Sequence, residues 1–332
     1  MAEVRHPREV FDLIGHEAAE TAFEASRQRG RLHHAWLLTG PEGVGKATFA
    51  YRAARRLLGA PADPAHGILG ANPDHPVSRQ IIARSHPDIL VIERVGEDGK
   101  VRKVIPVDDA RRLAEFFSKS PASAPHRVAI VDAADDLNIN AANALLKTLE
   151  EPPERGILLM ISHSPGRLLP TIRSRCRRLA FQPLDIETAA DFVRAREDVT
   201  EEAALRLAKM AGGAPGRAWT MAAGKALDMD DAARALLADL PRVDEAMALS
   251  LADRFRGGEG QAQFNLLFDR LAERVHGFTV DRAGQGFGAG ERWAAAWETL
   301  QRLPREVEAL NLDRTDALFT ALEDLRRAAR AA

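Results

Sequence analysis

The segment Gly40-Pro-Glu-Gly-Val-Gly-Lys46 constrains this chain more than any other stretch, because it follows the apolar run Ala35 to Thr39 directly and opens a helical pattern. A glycine-rich turn between strand and helix lets the backbone wrap a phosphate. The first helical turn presents free N–H groups, and a lysine adds positive charge. Gly40, Gly43, Gly45 and Lys46 are therefore candidate nucleotide-binding residues, and a chain carrying such a turn must contain strands that feed helices.

The surrounding pattern agrees. Apolar β-type runs at Ala35 to Thr39, Ile89 to Glu93, Arg127 to Asp132, Ile157 to Ser162 and Arg178 to Phe181 alternate with amphipathic stretches at Lys46 to Leu58, Val107 to Ser118 and Asn140 to Glu151. This alternation predicts an α/β P-loop domain, a parallel sheet covered by helices, over residues 1–182. Phe181-Gln-Pro-Leu-Asp185 then ends the last strand and offers Asp185 as a helix cap. Beyond it the sequence reads as helix, broken at Gly212 to Gly216, Gly257 to Gly260 and a Gly-rich connection from Gly284 to Gly290. We expect a small helical lid domain over 183–228 and an all-α C-terminal collar domain over 229–332.

Two positions argue against hydrolysis at the loop. The residue after the P-loop lysine normally offers a hydroxyl to Mg²⁺, and here it is Ala47. Thr48 does not replace it, since one residue turns the side chain by about 100° around the helix. Asp132 ends an apolar strand where a P-loop protein places its Mg²⁺-binding carboxylate, but Ala133 and Ala134 follow it, so no glutamate is available to polarise water. Asp135 and Asp136 read as an acidic turn and helix cap. A glycine-rich turn that binds nothing remains an open reading of the loop itself.

The stretch Thr171-Ile-Arg-Ser-Arg-Cys176 precedes the last strand. A permanently charged, forked guanidinium at a domain edge can complete a neighbour's nucleotide site. Taken alone the stretch means little, because most surface arginines are solvated or salt-bridged. The combination is more specific. Leu32-His-His-Ala-Trp-Leu-Leu-Thr-Gly40 leading into the P-loop, Asn143-Ala-Leu-Leu-Lys-Thr-Leu-Glu-Glu-Pro-Pro153, and Ser174-Arg-Cys176 together resemble the bacterial DNA polymerase III clamp-loader branch of the AAA+ superfamily, over residues 5 to 220. Gly213-Ala-Pro-Gly-Arg217 is similar to the start of that family's sensor-2 helix, and Ser162-His-Ser164 stands where sensor 1 belongs. The resemblance implies Arg175 as an arginine finger acting in trans, with Arg173 as the nearest decoy, expected in a salt bridge at the same edge. It implies Asp132 and Arg217 as remnants of a vestigial or weak nucleotide site, and the helical tail as the collar of a ring. The implied partners are clamp-loader ATPase subunits and a delta subunit, with the sliding clamp and primer-template DNA reached through the assembly.

Composition bounds the alternatives. With 45% apolar and 28% charged residues among 332 and a net charge of −2, the chain reads as globular, without the basic stripe that holds DNA unaided. The single cysteine, Cys176, excludes an internal disulfide and the cysteine-bound zinc module that the resemblance associates with ATPase subunits. His66, His75 and His86 lack the thiolates and tight spacing of a zinc site, so no zinc is expected and no cofactor is required, with ATP or ADP bound weakly at most. No apolar run approaches the roughly 20 residues of a membrane helix, and the N-terminal Met1 to Leu13 has no apolar core of a secretory signal, so the expectation is a cytoplasmic protein with no membrane contact. In the C-terminal region, Phe264, Leu267, Leu271 and Val275, and Leu318, Leu322 and Leu325, are spaced for core packing, while Trp293 and Trp297 are candidate interface residues. Two other readings stay open: an active AAA+ ATPase subunit with unusual Mg²⁺ ligation, and a non-enzymatic DNA-binding protein on the same fold. The GxxxxGK spacing sets aside a dinucleotide oxidoreductase.

Overall fold

Five strands form one sheet, all parallel: β1 (Ala35–Thr39), β2 (Ile89–Glu93), β3 (Arg127–Asp132), β4 (Gly156–Ser162) and β5 (Arg177–Ala180), in the order β2-β3-β4-β1-β5. In this computed structural model the described residues are 4–96, 99–224, 226–257, 260–283 and 287–330. The central strands β1 and β4 are buried at every position, as expected where helices cover both faces of a parallel sheet. The edge strand β5 is mostly exposed and carries Arg177 and Arg178, charges that suit a strand with only one neighbour.

The helices of this part are α1 (Glu17–Gln28), α2 (Lys46–Leu57), α3 (Pro76–Ile82), α4 (Val107–Phe117), α5 (Ile139–Glu150) and α6 (Pro170–Ser174). One face of the sheet packs Trp36, Leu38, Val128, Ile130, Leu159 and Ile161 against Phe23 of α1 and Phe49, Ala50 and Leu57 of α2. The other packs Leu37, Ala129, Val131, Leu158 and Met160 against Leu113 of α4 and Leu145 and Leu149 of α5. The expected strands and the helices α2, α4 and α5 are found within a residue of their predicted bounds. The alternation did not single out α1, α3 or α6.

Asp185 caps α7 (Ile186–Arg194), its carboxylate accepting from the Thr188 N–H at 2.8 Å, and Thr200 caps α8 (Glu201–Met210) in the same way. After the break at Gly212 and Gly213 comes α9 (Pro215–Ala223).

The chain divides into two compact units, Met1–Thr220 and Met221–Ala332. The second is helical throughout its described elements: α10 (Ala226–Ala238), α11 (Glu245–Arg254), α12 (Gly260–Ala283), α13 (Phe287–Leu310) and α14 (Arg314–Arg330). Phe264, Leu267, Leu271 and Val275 of α12 and Leu318, Leu322 and Leu325 of α14 lie in its core, so both stripes are core stripes. Trp293 belongs to that core as well, at 3% exposure, rather than to a surface. Trp297, one turn on, is partly buried against the same core with its ring 5.6 Å from that of His276. Residues 258–259 and 284–286 of the expected Gly-rich breaks lie outside the described residues, and Phe287 already opens α13.

Candidate functional site

The P-loop leaves β1 at the carboxyl edge of the sheet. Because β4 lies between β1 and β3, that edge brings together the loop, the end of β4 at Ser162 and the end of β3 at Asp132. A parallel sheet gathers a ligand crevice at such an edge.

Gly45 forms the N-cap of α2, and Lys46 is only 3% exposed. The Lys46 ammonium donates to the carbonyls of Gly40 at 2.6 Å and Pro41 at 2.5 Å, which leaves one of its three N–H groups for a phosphate. Burial holds its pKa down to about 8, opposed by the charges of Asp132, Glu42 and Asp135. Asp132 answers it: burial pushes its carboxyl up to about 6, Glu93 adds to the rise, and Lys46 pulls against it. A buried ammonium and a half-buried carboxylate of opposite charge thus share the crevice.

The P-loop is held from three sides. Gly40 approaches the Phe181 carbonyl so closely that a Cβ would lie 2.2 Å from that oxygen. His16, a residue the sequence pattern did not single out, supports the loop through a 2.7 Å bond between Nε2 and the Val44 carbonyl. Nε2–H is the donor, since the carbonyl can only accept, and burial lowers the His16 pKa. From the third side comes α9: Gly216 donates its N–H to the Gly43 carbonyl at 2.8 Å. Gly43 has φ +78°, and a Cβ on it would lie 2.4 Å from the Arg217 nitrogen. The backbone of Arg217 therefore rests on the P-loop, while its side chain is exposed.

Of the alanines singled out in the sequence, Ala47 is partly buried against the sheet core and Ala133 and Ala134 are buried at 3% and 2% exposure. Asp135 is not the cap of α5, since Asn138 supplies it. Its carboxylate instead accepts from Ser162 Oγ at 2.9 Å, His163 N at 2.6 Å and Ser164 N at 3.1 Å, and so fixes the loop after β4. Asp136 pairs with Arg94 at 3.1 Å.

Arg175 lies elsewhere. It caps the end of α6, two residues before β5 pairs Arg177 with Trp36 near the start of β1, and so sits at the amino edge of the sheet. A strand of five residues separates that edge from the P-loop, about 15 Å at the usual rise. Its guanidinium donates to Glu150 Oε1 at 2.9 Å and to the Thr171 carbonyl at 3.1 Å. Arg173 is exposed and has no ion-pair partner among the described residues, so the salt bridge expected of it falls to Arg175 instead. Cys176 is packed against the α5 side of the core, and burial pushes its thiol up to about 12, away from the thiolate form.

The three histidines weighed as zinc ligands have separate employment. His75 caps α3, His86 accepts from the Asp88 N–H at 3.1 Å, and His66 bonds Asp12 at 2.8 Å. Among the described residues no three His, Cys, Asp or Glu side chains are gathered to hold a metal ion, and no helix is long and apolar enough to cross a membrane.

Comparison with known proteins decides the family. Residues 15–185 match the family model described as DNA polymerase III, delta subunit. The chain belongs to that family. The match takes in Gly40 to Lys46, Asp132 and Arg175, and ends before Arg217. DNA polymerase III subunit delta' of Pseudomonas aeruginosa is 38% identical over 189 residues, 56% of this chain and 55% of the relative. Subunit delta' of Bacillus subtilis is 33% identical over 187 residues, 56% and 53% of the two chains, and subunit gamma of Buchnera aphidicola 31% identical over 194 residues, 58% and 51%. The chain thus spans about half the length of these relatives.

Proposed function

We propose that this protein is a delta-prime-type subunit of a DNA polymerase III clamp loader that serves an ATP site it does not itself own. It inserts Arg175 toward the γ-phosphate held by a neighbouring ATPase subunit and helps to load a sliding clamp onto primed DNA. The observation that carries this reading is the separation of Arg175 from Lys46 by the length of the sheet: the guanidinium cannot reach a phosphate in its own P-loop, so a phosphate it contacts belongs to another chain. The loop in turn has an alanine in place of the Mg²⁺ hydroxyl and buried alanines in place of the catalytic glutamate.

Under this reading Gly40, Gly43, Gly45, Lys46, Asp132 and Arg217 form a vestigial site that binds ATP or ADP weakly and hydrolyses neither, and no zinc is needed. Residues 183–228 serve as the lid, residues 229–332 as the collar that closes a ring with ATPase and delta partners, and the assembly works in the cytoplasm. DNA and clamp are met through the complex.

The test is clamp- and DNA-stimulated ATP turnover by a loader reconstituted with its ATPase and delta partners, wild type against Arg175→Ala. A finger is worth of the order of a thousandfold or more at the site it completes, so turnover at that neighbouring site collapses while the complex still assembles. Unchanged turnover removes the finger. Turnover by the isolated chain that is lost in Lys46→Ala would instead establish an active ATPase.

A further inference from the structure

Arg175 is held before any partner arrives. Its backbone is flanked by the core on both sides: Ile172 is buried at 1% exposure, Cys176 is packed against the core cluster that includes Ile172, and Ser174 Oγ donates to the Thr171 carbonyl at 3.2 Å. What remains free is a long side chain. Thr171 O takes one hydrogen of Nη1 and Glu150 Oε1 one hydrogen of Nη2, at 3.1 and 2.9 Å. Two of five N–H donors are used, and the other three stay available to phosphate oxygens.

Glu150 stands in the last turn of α5, where the helix dipole disfavours a carboxylate unless a cation lies close by. The two side chains are 52% and 36% exposed, too open for the pair to add much to the fold. Arg173, on the same short helix, has no such restraint among the described residues. The pair restricts Arg175 selectively.

We propose that Glu150 is a positioning residue for Arg175: it orders the guanidinium at the subunit's edge so that its free donors meet a neighbouring subunit's phosphates without first losing side-chain freedom. This rests on the reading of Arg175 as a finger acting in trans. Glu150 touches no substrate.

The experiment is a double-mutant cycle in the reconstituted loader, with Glu150→Ala, Glu150→Gln, Arg175→Ala and the Glu150→Ala/Arg175→Ala pair, reading kcat and KM for ATP and the melting temperature of the variant chain. Glu150→Ala should lower kcat about fivefold, the coupling typical of residues in contact, with KM and melting temperature unchanged. Glu150→Gln should keep most of the activity, because its amide oxygen still accepts. The double variant should be no slower than Arg175→Ala alone. Full turnover in Glu150→Ala while Arg175→Ala loses it, or losses that multiply in the double variant, would overturn the positioning role and leave the finger standing. Full turnover in Arg175→Ala would remove the finger and the positioning role with it.

Discussion

Asp132 is the residue whose charge costs the fold most visibly. Burial and Glu93 raise its carboxyl from 3.8 to about 6, so between those values the folded chain binds more protons than the unfolded one, and stability falls as pH rises through that window. Above it the penalty is fully present. Asp132→Asn keeps the shape and removes the charge, so it should stabilise the protein by about 1–2 kcal/mol at neutral pH, with the gain shrinking as pH falls and absent below 3.8. Urea titrations of both proteins across that range test it, and a gain independent of pH would contradict the assignment. Lys46 behaves in the mirror sense. Its folded pKa of about 8 lies below the ordinary 10.5, so the unfolded chain binds more protons between those values and stability rises with pH through them.

At the scale of elements, Asp88 holds a loop against the sheet as Asp135 holds the loop after β4. Asp88, fully buried before β2, accepts from the N–H groups of Ala122 at 2.7 Å, Ser123 at 2.9 Å and Ala124 at 3.1 Å, and pairs with Arg127. Burial works to raise its pKa, but these donors and Arg127 outweigh it and hold the carboxyl low. Its stabilisation is therefore present above the unfolded value of 3.8 and is lost as pH falls through the lower folded value. Asp88→Ala leaves three loop N–H groups and the buried Arg127 guanidinium without their acceptor and should cost about 2–4 kcal/mol in denaturant titrations at neutral pH. The contact between α9 and the P-loop has its own test. Gly43→Ala strains a left-handed residue and drives a Cβ into the Arg217 backbone, so it should destabilise the protein by about 2 kcal/mol or more and raise amide exchange at Gly216, whose N–H loses the Gly43 carbonyl. Unaltered exchange at Gly216 would show that the helix start is held by something else.

For the whole molecule, the second unit carries a core of its own, from Met229 to Ala328, built on α10 to α14. A fragment of residues 224–332 should be helical and melt cooperatively by circular dichroism, because its buried phenylalanines and leucines do not depend on the sheet. What the amino-acid sequence determined by itself is the part written in short-range pattern: the five apolar runs that became parallel strands, the glycine-rich turn at Gly40 to Lys46, the alanines Ala47 and Ala133, and the Asp185 cap. Each depends on neighbours within a few residues, through backbone conformation or the presence of a chemical group. The helix α1 escaped that reading although Phe23 anchors it in the core, since its many charged and small residues blur the periodicity. Only the tertiary structure decided which strand lies beside which, and so put Asp132 and Lys46 at one edge of the sheet and Arg175 at the other. It also turned Asp135 from a turn residue into the anchor of the loop after β4, drew Trp293 inward, and gave the salt bridge to Arg175 rather than Arg173. Those outcomes depend on strand order and on contacts between residues far apart in sequence, such as Asp135 with Ser164, 29 positions on, and no local pattern encodes them.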